Sequence, residues 1–248
     1  MSGHSKWSTI KRKKEVADNA RGKVFSKFSQ LIAIAVKTGG GVDPQTNPSL
    51  REVIERAKAV NMPKTNIKRA IESASKSGEN LEEVVYEGFG PEGIFVLVEV
   101  ATNNRNRTAQ EIKGLFDRGG GRLAGPGAVS FNFDTRGLVL LKKEKDHESQ
   151  VLKLIDLGVE DVEVVEDGVE VFIEPNKLSD LKKKLAKNGF EVKSSEVVKS
   201  PKTTQKIKDV KTITRVLGLL DSLENQDDVK KVYANIDVPE ELISKINS

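Results

Sequence analysis

Lysine and arginine at close spacing do one kind of chemistry well, which is to neutralise phosphate. Eight of the first 27 residues are of these types (Lys6, Lys11, Arg12, Lys13, Lys14, Arg21, Lys23 and Lys27), against two acids, Glu15 and Asp18. A segment of net charge +6 with almost no apolar surface has little means of packing on itself. It suits a polyanion, and in a soluble protein the commonest polyanion is nucleic acid. Lys11-Arg12-Lys13-Lys14 is too compact to lie on one helix face, so its charges splay in several directions. They are expected to contact phosphate through counterion release; the bland alternative is a solvated tail. Trp7, the one tryptophan of the chain, sits at the edge of the cluster. It is able either to stack on a base or sugar or to anchor the tail on a helical domain.

Three more basic segments are candidates for the same chemistry. Met62-Pro63-Lys64-Thr65-Asn66-Ile67-Lys68-Arg69 opens a predicted helix, with Lys64 and Lys68 on one face and Arg69 beside them. A basic helix start also presents free amide groups to phosphate. Asn103-Asn104-Arg105-Asn106-Arg107-Thr108 joins a strand to a helix and reads either as an arginine clamp for phosphate or ribose, or as an Asn-rich turn with a cap. Arg118-Gly119-Gly120-Gly121-Arg122, followed by Gly125-Pro126-Gly127, is a basic glycine loop. No Gly-Lys-Ser/Thr follows it, and its glycines come after a helix rather than a strand, so it fits neither nucleotide-binding motif. It reads as a mobile contact loop or as a helix stop plus hairpin.

The search for catalysis is negative. His4 and His147 are the only histidines and are far apart, cysteine is absent, and no G-x-S-x-G or H-E-x-x-H occurs. No enzyme activity, metal or cofactor is expected. Lack of cysteine also removes disulfides and thiol nucleophiles. No apolar run approaches the roughly 18 residues of a membrane helix, and no apolar segment follows the basic start as in a secretory signal. A cytoplasmic protein is expected. The total net charge of +4 hides a division, since residues 1–80 carry net +9 and residues 81–248 net −5. One end is built for an anionic partner and the rest for something else.

The elements that must position these residues follow from periodicity. Val24, Phe25, Phe28, Leu31, Ile32, Ala35 and Val36 predict an amphipathic helix over 22–38, stopped by Gly39-Gly40-Gly41. Asn47 then Pro48 predicts an N-cap and first helical residue, with Leu50, Val53, Ile54, Ala57 and Val60 inward. Pro63 starts a third helix carrying Ile67, Ala70, Ile71 and Ala74, ended by Gly78. Residues 94–101 predict a buried strand and 106–118 a helix. Val129, Phe131 and Phe133 alternate as one face of a strand over 128–133. Strand 137–142, helix 146–157, strands 159–166 and 169–174, helix 177–188 and strand 190–198 follow, with Asp167-Gly168 as a hairpin signal. That is the β-α-β-β-α-β order of a ferredoxin-like domain. After Ser200-Pro201, read as a breaker, come a helix over 209–224 and a strand over 229–236.

The expected fold is α+β: a three-helix domain followed by two α/β domains, one ferredoxin-like and inserted into the other. The expected units are a basic arm over 1–20, a helical domain over 21–80, a discontinuous α/β domain of 81–134 plus 201–248, and the insertion over 135–200. The alternative is a single continuous α+β domain.

Gly3-His4-Ser5-Lys6-Trp7, Ile10-Lys11, Lys13-Lys14, Asp18, Arg21-Gly22-Lys23 and Phe25-Ser26-Lys27 together resemble the opening of the YebC/PmpR family. The resemblance continues through Asn47-Pro48, Met62-Pro63-Lys64, Tyr86-Glu87-Gly88, Gly90-Pro91, the 103–108 segment and residues from Gly125 to Ser130, and so covers nearly the whole chain. It implies a three-domain cytoplasmic protein, in many bacterial members labelled a probable transcriptional regulator that binds promoter DNA. It also implies kinship with the mitochondrial translational activator of cytochrome oxidase and with ribosome-associated factors that aid translation through proline-rich stretches. The expectation is a non-enzymatic, nucleic-acid-binding regulator of gene expression. Its first form is a DNA-binding transcriptional regulator. Its second is a translation factor on ribosomal or transfer RNA, with the ribosome as partner. The absence of a confident helix-turn-helix recognition helix in the sequence leans toward RNA. A third class is a protein-interaction adaptor working through the acidic C-terminal region.

Overall fold

A computed structural model of the chain describes residues 20–78, 81–165 and 168–239. Three helices come first: α1 (Ala20–Thr38), α2 (Pro48–Ala59) and α3 (Lys64–Lys76). Their inward stripes form one core of Leu31, Ile32, Ala35, Val36, Leu50, Val53, Ile54, Ala57, Met62, Ile67 and Ala74. Asn47 does more than cap α2. Its Oδ1 accepts the Leu50 amide at 2.9 Å, while Nδ2 donates to the carbonyls of Ala35 at 2.8 Å and Gly41 at 2.7 Å. The buried side chain thereby ties the end of α1 to the start of α2. Gly39 is needed for that approach, because a Cβ there would collide with Asn47 Oδ1.

The first sheet has the order β3-β1-β2-β9, from β1 (Glu82–Phe89), β2 (Phe95–Thr102), β3 (Arg122–Ala124) and β9 (Val229–Ala234). Its inner face (Val84, Tyr86, Val96, Val98, Val100, Val232) packs under α4 (Arg105–Arg118) and α7 (Val210–Glu224), with Ile112, Phe116, Ile213, Val216 and Leu220 filling the core. β8 (Gln205–Lys206) and β10 (Ile236–Asp237) form a short separate parallel pair.

The second sheet has the order β5-β6-β4-β7, from β4 (Phe133–Leu141), β5 (Asp161–Val165), β6 (Gly168–Ile173) and β7 (Val192–Pro201), all antiparallel. Helices α5 (His147–Asp156) and α6 (Leu178–Lys187) complete the ferredoxin-like β-α-β-β-α-β unit and cover one face. Because the first sheet takes strands from both sides of it in sequence, this unit is an insertion. Phe133 pairs with Pro201, so the chain enters and leaves the insertion side by side. The uncovered faces of the two sheets meet through Leu97, Tyr233, Phe133, Leu138, Phe172 and Val198.

Three expectations need correction. Residues 128–133 are not a strand: the chain turns through a short 3-10 segment, Ser130–Asn132, and the strand proper starts at Phe133. Ser200-Pro201 does not break the chain. It ends β7, where an edge strand tolerates proline. Strand β1 escaped detection because it opens on two acids and only its last half is well buried. The Asp167 half of the predicted hairpin lies outside the described residues. Gly168 belongs to β6, as the partner of Val165.

Candidate nucleic-acid interface

Lys6, Trp7, Lys11, Arg12, Lys13 and Lys14 lie outside the described residues, and Arg21 and Lys23 fall in the first turns of α1. The first basic side chain with a described position is Lys27. Its ammonium donates to the carbonyls of Gln226 at 2.7 Å and Val229 at 2.5 Å. It serves as a strut between α1 and the start of β9. Lys231 is a second strut, absent from the sequence reading. It reaches Glu196 of β7 at 2.6 Å and Glu52 of α2 at 3.5 Å, and so touches all three units at once.

The helical unit keeps its other candidates in solvent. Helices α2 and α3 are joined by four residues, 60–63, and α3 starts without a side-chain cap on Pro63. Lys64, Thr65, Lys68 and Arg69 are exposed on its first two turns, and Lys68 only brushes Glu72 at 3.7 Å. Lys58, Lys64 and Lys68 line the rim of a shallow groove floored by Ile54, Ile67 and Ile71.

At the start of α4, Asn104 caps the helix by accepting the Arg107 amide at 3.1 Å. Separate carboxylates pair with the two arginines, whose side chains stay exposed. Arg105 reaches Glu82 at 3.5 Å, and Arg107 reaches Asp228 at 2.8 Å and Glu111 at 3.9 Å. Asp228 also accepts from Thr108 Oγ1 at 2.5 Å. Burial pushes the Asp228 carboxyl up, but the Thr108 hydroxyl and the Arg107 guanidinium outweigh it and hold the group below its ordinary value.

The glycine loop is where the structure gathers most. Arg118 is exposed at the end of α4, and the guanidinium of Arg215, from α7, lies against Gly120. Arg122 sits over the ring of Phe89, its Cζ 4.8 Å from the centroid. Phe89 meets Phe95 edge-on at 5.7 Å, and Phe95 meets Phe131 at 5.8 Å. Beneath them Glu87, 6% exposed, accepts the amides of Gly127 at 2.7 Å, Val129 at 2.7 Å and Ser130 at 2.8 Å. Burial pushes this carboxyl up; the three amides more than offset that and leave it below the usual carboxylate range. Sequence reasoning missed Glu87 and misplaced Phe131. The only local signal was Gly125-Pro126-Gly127, a turn too close to Phe131 for a strand to have settled there.

Among the described residues no group of three or more His, Asp or Glu is placed to hold a metal ion. No helix among them is long and apolar enough to cross a membrane.

The chain is thus an α+β protein with a helical unit, a ferredoxin-like insertion, and arginines and lysines exposed at helix starts and around one glycine loop. Comparison with known proteins gives the particular family. Residues 5–77 match the TACO1/YebC protein N-terminal domain, and residues 81–236 match the TACO1/YebC second and third domain. The chain belongs to this family. It is 45% identical over 251 residues to a probable transcriptional regulatory protein of Sulfurihydrogenibium, covering 99% of each chain. A protein of the same description from Persephonella marina is 44% identical over the full length of both. The crystal structure of a conserved hypothetical protein from Aquifex aeolicus superimposes with a TM-score of 0.77 at 40% identity, covering 90% of this chain and 93% of that one.

Proposed function

We propose that this protein is a cytoplasmic, nucleic-acid-binding regulator of gene expression that acts on promoter DNA. One observation carries the DNA reading. The pair α2–α3 is joined by four residues, and α3 exposes Lys64, Thr65, Lys68 and Arg69 at its start. A recognition helix presents its N-terminal residues to base edges and phosphates in this way. The names carried by the relatives, probable transcriptional regulatory proteins, agree with it. The working parts in this reading are the arm over 1–20, the helical unit over 21–80, and the α/β units of 81–134 plus 201–248 and of 135–200. Arm and α3 supply phosphate contacts, Arg105, Arg107, Arg118 and Arg122 extend the surface, and no cofactor takes part.

A second reading is a translation factor on ribosomal or transfer RNA. The exposed Phe131, at the end of an aromatic row on a sheet, favours it, because unpaired bases stack on such rows. Cosedimentation with ribosomes beside promoter-fragment binding, both at about physiological salt, separates the two. Sequence-selective promoter binding without ribosome association supports the transcriptional reading. Ribosome association with no promoter preference overturns it.

A further inference from the structure

We infer that Phe131, with Phe95, Phe89 and Arg122, forms a stacking platform for an unpaired nucleobase of single-stranded nucleic acid; the inference rests on the nucleic-acid reading above and gives that reading a ligand class. Four observations carry it.

The row is built by sheet register. Arg122 of β3 pairs with Phe89 of β1, and Phe89 with Phe95 of β2, so the three side chains stand in line across the end of the first sheet. They lie on the outer face, shared with Leu97 and Tyr233, and continue the contact between the sheets to its rim. Phe131 completes the row, edge-on to Phe95.

Phe131 is also displayed rather than merely exposed. The residue is 62% exposed, yet Val129 before it is 0% and Asn132 after it 4% exposed. Asn132 Oδ1 accepts from Thr203 Oγ1 at 2.7 Å, and its Nδ2 donates to the Thr203 carbonyl at 3.0 Å. Its own carbonyl accepts the Lys202 amide at 2.7 Å. With the three amides on Glu87, the turn is fixed on both flanks. A lone apolar residue on a surface is ordinary. One held out on a turn locked from both sides is preorganised, which spares ordering on binding.

The surroundings also fit a nucleotide. Residues 118–133 contain two arginines and no acid, and Arg215 adds a third guanidinium at Gly120. Glu87, beneath the row, turns its charge onto three amides. An aromatic face beside arginines offers a base its π surface and the adjoining phosphate a cation. An apolar peptide would use the ring but not the arginines.

Last, the face is open at this end, beside the region where Phe133, Leu138, Phe172 and Val198 of the insertion cover the outer face around Leu97 and Tyr233.

The test uses the full chain, with short single-stranded DNA and RNA oligonucleotides and a matched duplex, read by fluorescence anisotropy at low salt. Phe131→Ala should weaken single-strand binding roughly five- to a hundredfold, as expected when one stacking interaction is removed, and leave duplex affinity within about twofold. Phe131→Trp should restore it. Strands carrying 5-iodouracil should cross-link to the peptide holding Phe131. Equal losses on DNA and RNA assign the base itself as the ligand, and a loss on one alone identifies which strand supplies it. Single-strand binding that Phe131→Ala leaves unchanged would overturn the platform while the nucleic-acid reading stands. Binding of no nucleic acid at all would overturn both. An apolar peptide that competes for Phe131 while oligonucleotides do not would also sink the inference.

Discussion

The Glu87 carboxylate accepts the amide of Val129 at 2.7 Å, across 42 residues of sequence. With Gly127 and Ser130 bound to the same group, this contact turns 127–130 away from a strand and sets Phe131 outward. Glu87→Gln keeps the shape but replaces one acceptor oxygen by a donor facing an amide. A loss of about 1–3 kcal/mol is expected from the unsatisfied pair, measured by denaturant unfolding, with faster amide exchange at Val129 and Ser130. The acid side carries a second signature. Glu87 and Asp228 both titrate below their ordinary values in the fold. Their stabilisation is therefore complete above the unfolded carboxylate range, about pH 4. It is lost as pH falls through the lower folded values. Glu87→Gln should make that acid loss shallower.

Lys27 and Lys231 hold the helical unit against the rest of the molecule. Lys231, between Glu52 and Glu196, is 18% exposed. Lys231→Met should cost about 1–2 kcal/mol, between the values for exposed and buried pairs. Combined with Lys27→Met it should raise the radius of gyration in small-angle scattering. Unchanged scattering would mean that the two struts do not set the arrangement.

Much of this frame was legible in the sequence. The three helices and the ferredoxin-like order showed because periodicity and Pro/Gly punctuation are local signals, as in Asn47-Pro48 and Gly39-Gly40-Gly41. Two of the failures share one cause. Val129, Phe131 and Phe133 alternate as a strand should, and the carboxylate that bends them lies on β1. Lys27 looked like one more phosphate contact, and the carbonyls that hold it are 199 and 202 residues away. Of the candidate site, side-chain types and their positions on elements were readable. Which arginines carboxylates already hold was not, because Asp228 and Glu82 approach Arg107 and Arg105 from other strands and loops.

Arg107 is held by Asp228 at the mouth of α4. Asp228→Asn should release it toward phosphate. The expected result is a log–log salt dependence of duplex binding steeper by about 0.9, the increment for one more neutralised phosphate. An unchanged slope would make Arg107 purely structural.

The basic arm predicts the opposite change. Deleting residues 1–20 should flatten the same slope by several units, at about 0.9 for each duplex phosphate the arm neutralises, or about 0.7 on a single strand. An unaltered slope would mean that the arm does not touch phosphate.

The most direct measurement is the affinity of the full chain for promoter duplex across a salt series from low to physiological. Binding that weakens steeply and linearly in log–log form, and loses several slope units when Lys64, Lys68 and Arg69 are neutralised together with Lys11 to Lys14, is the result predicted. Absence of binding at the lowest salt, or binding indifferent to salt and to those residues, would contradict a nucleic-acid-binding regulator.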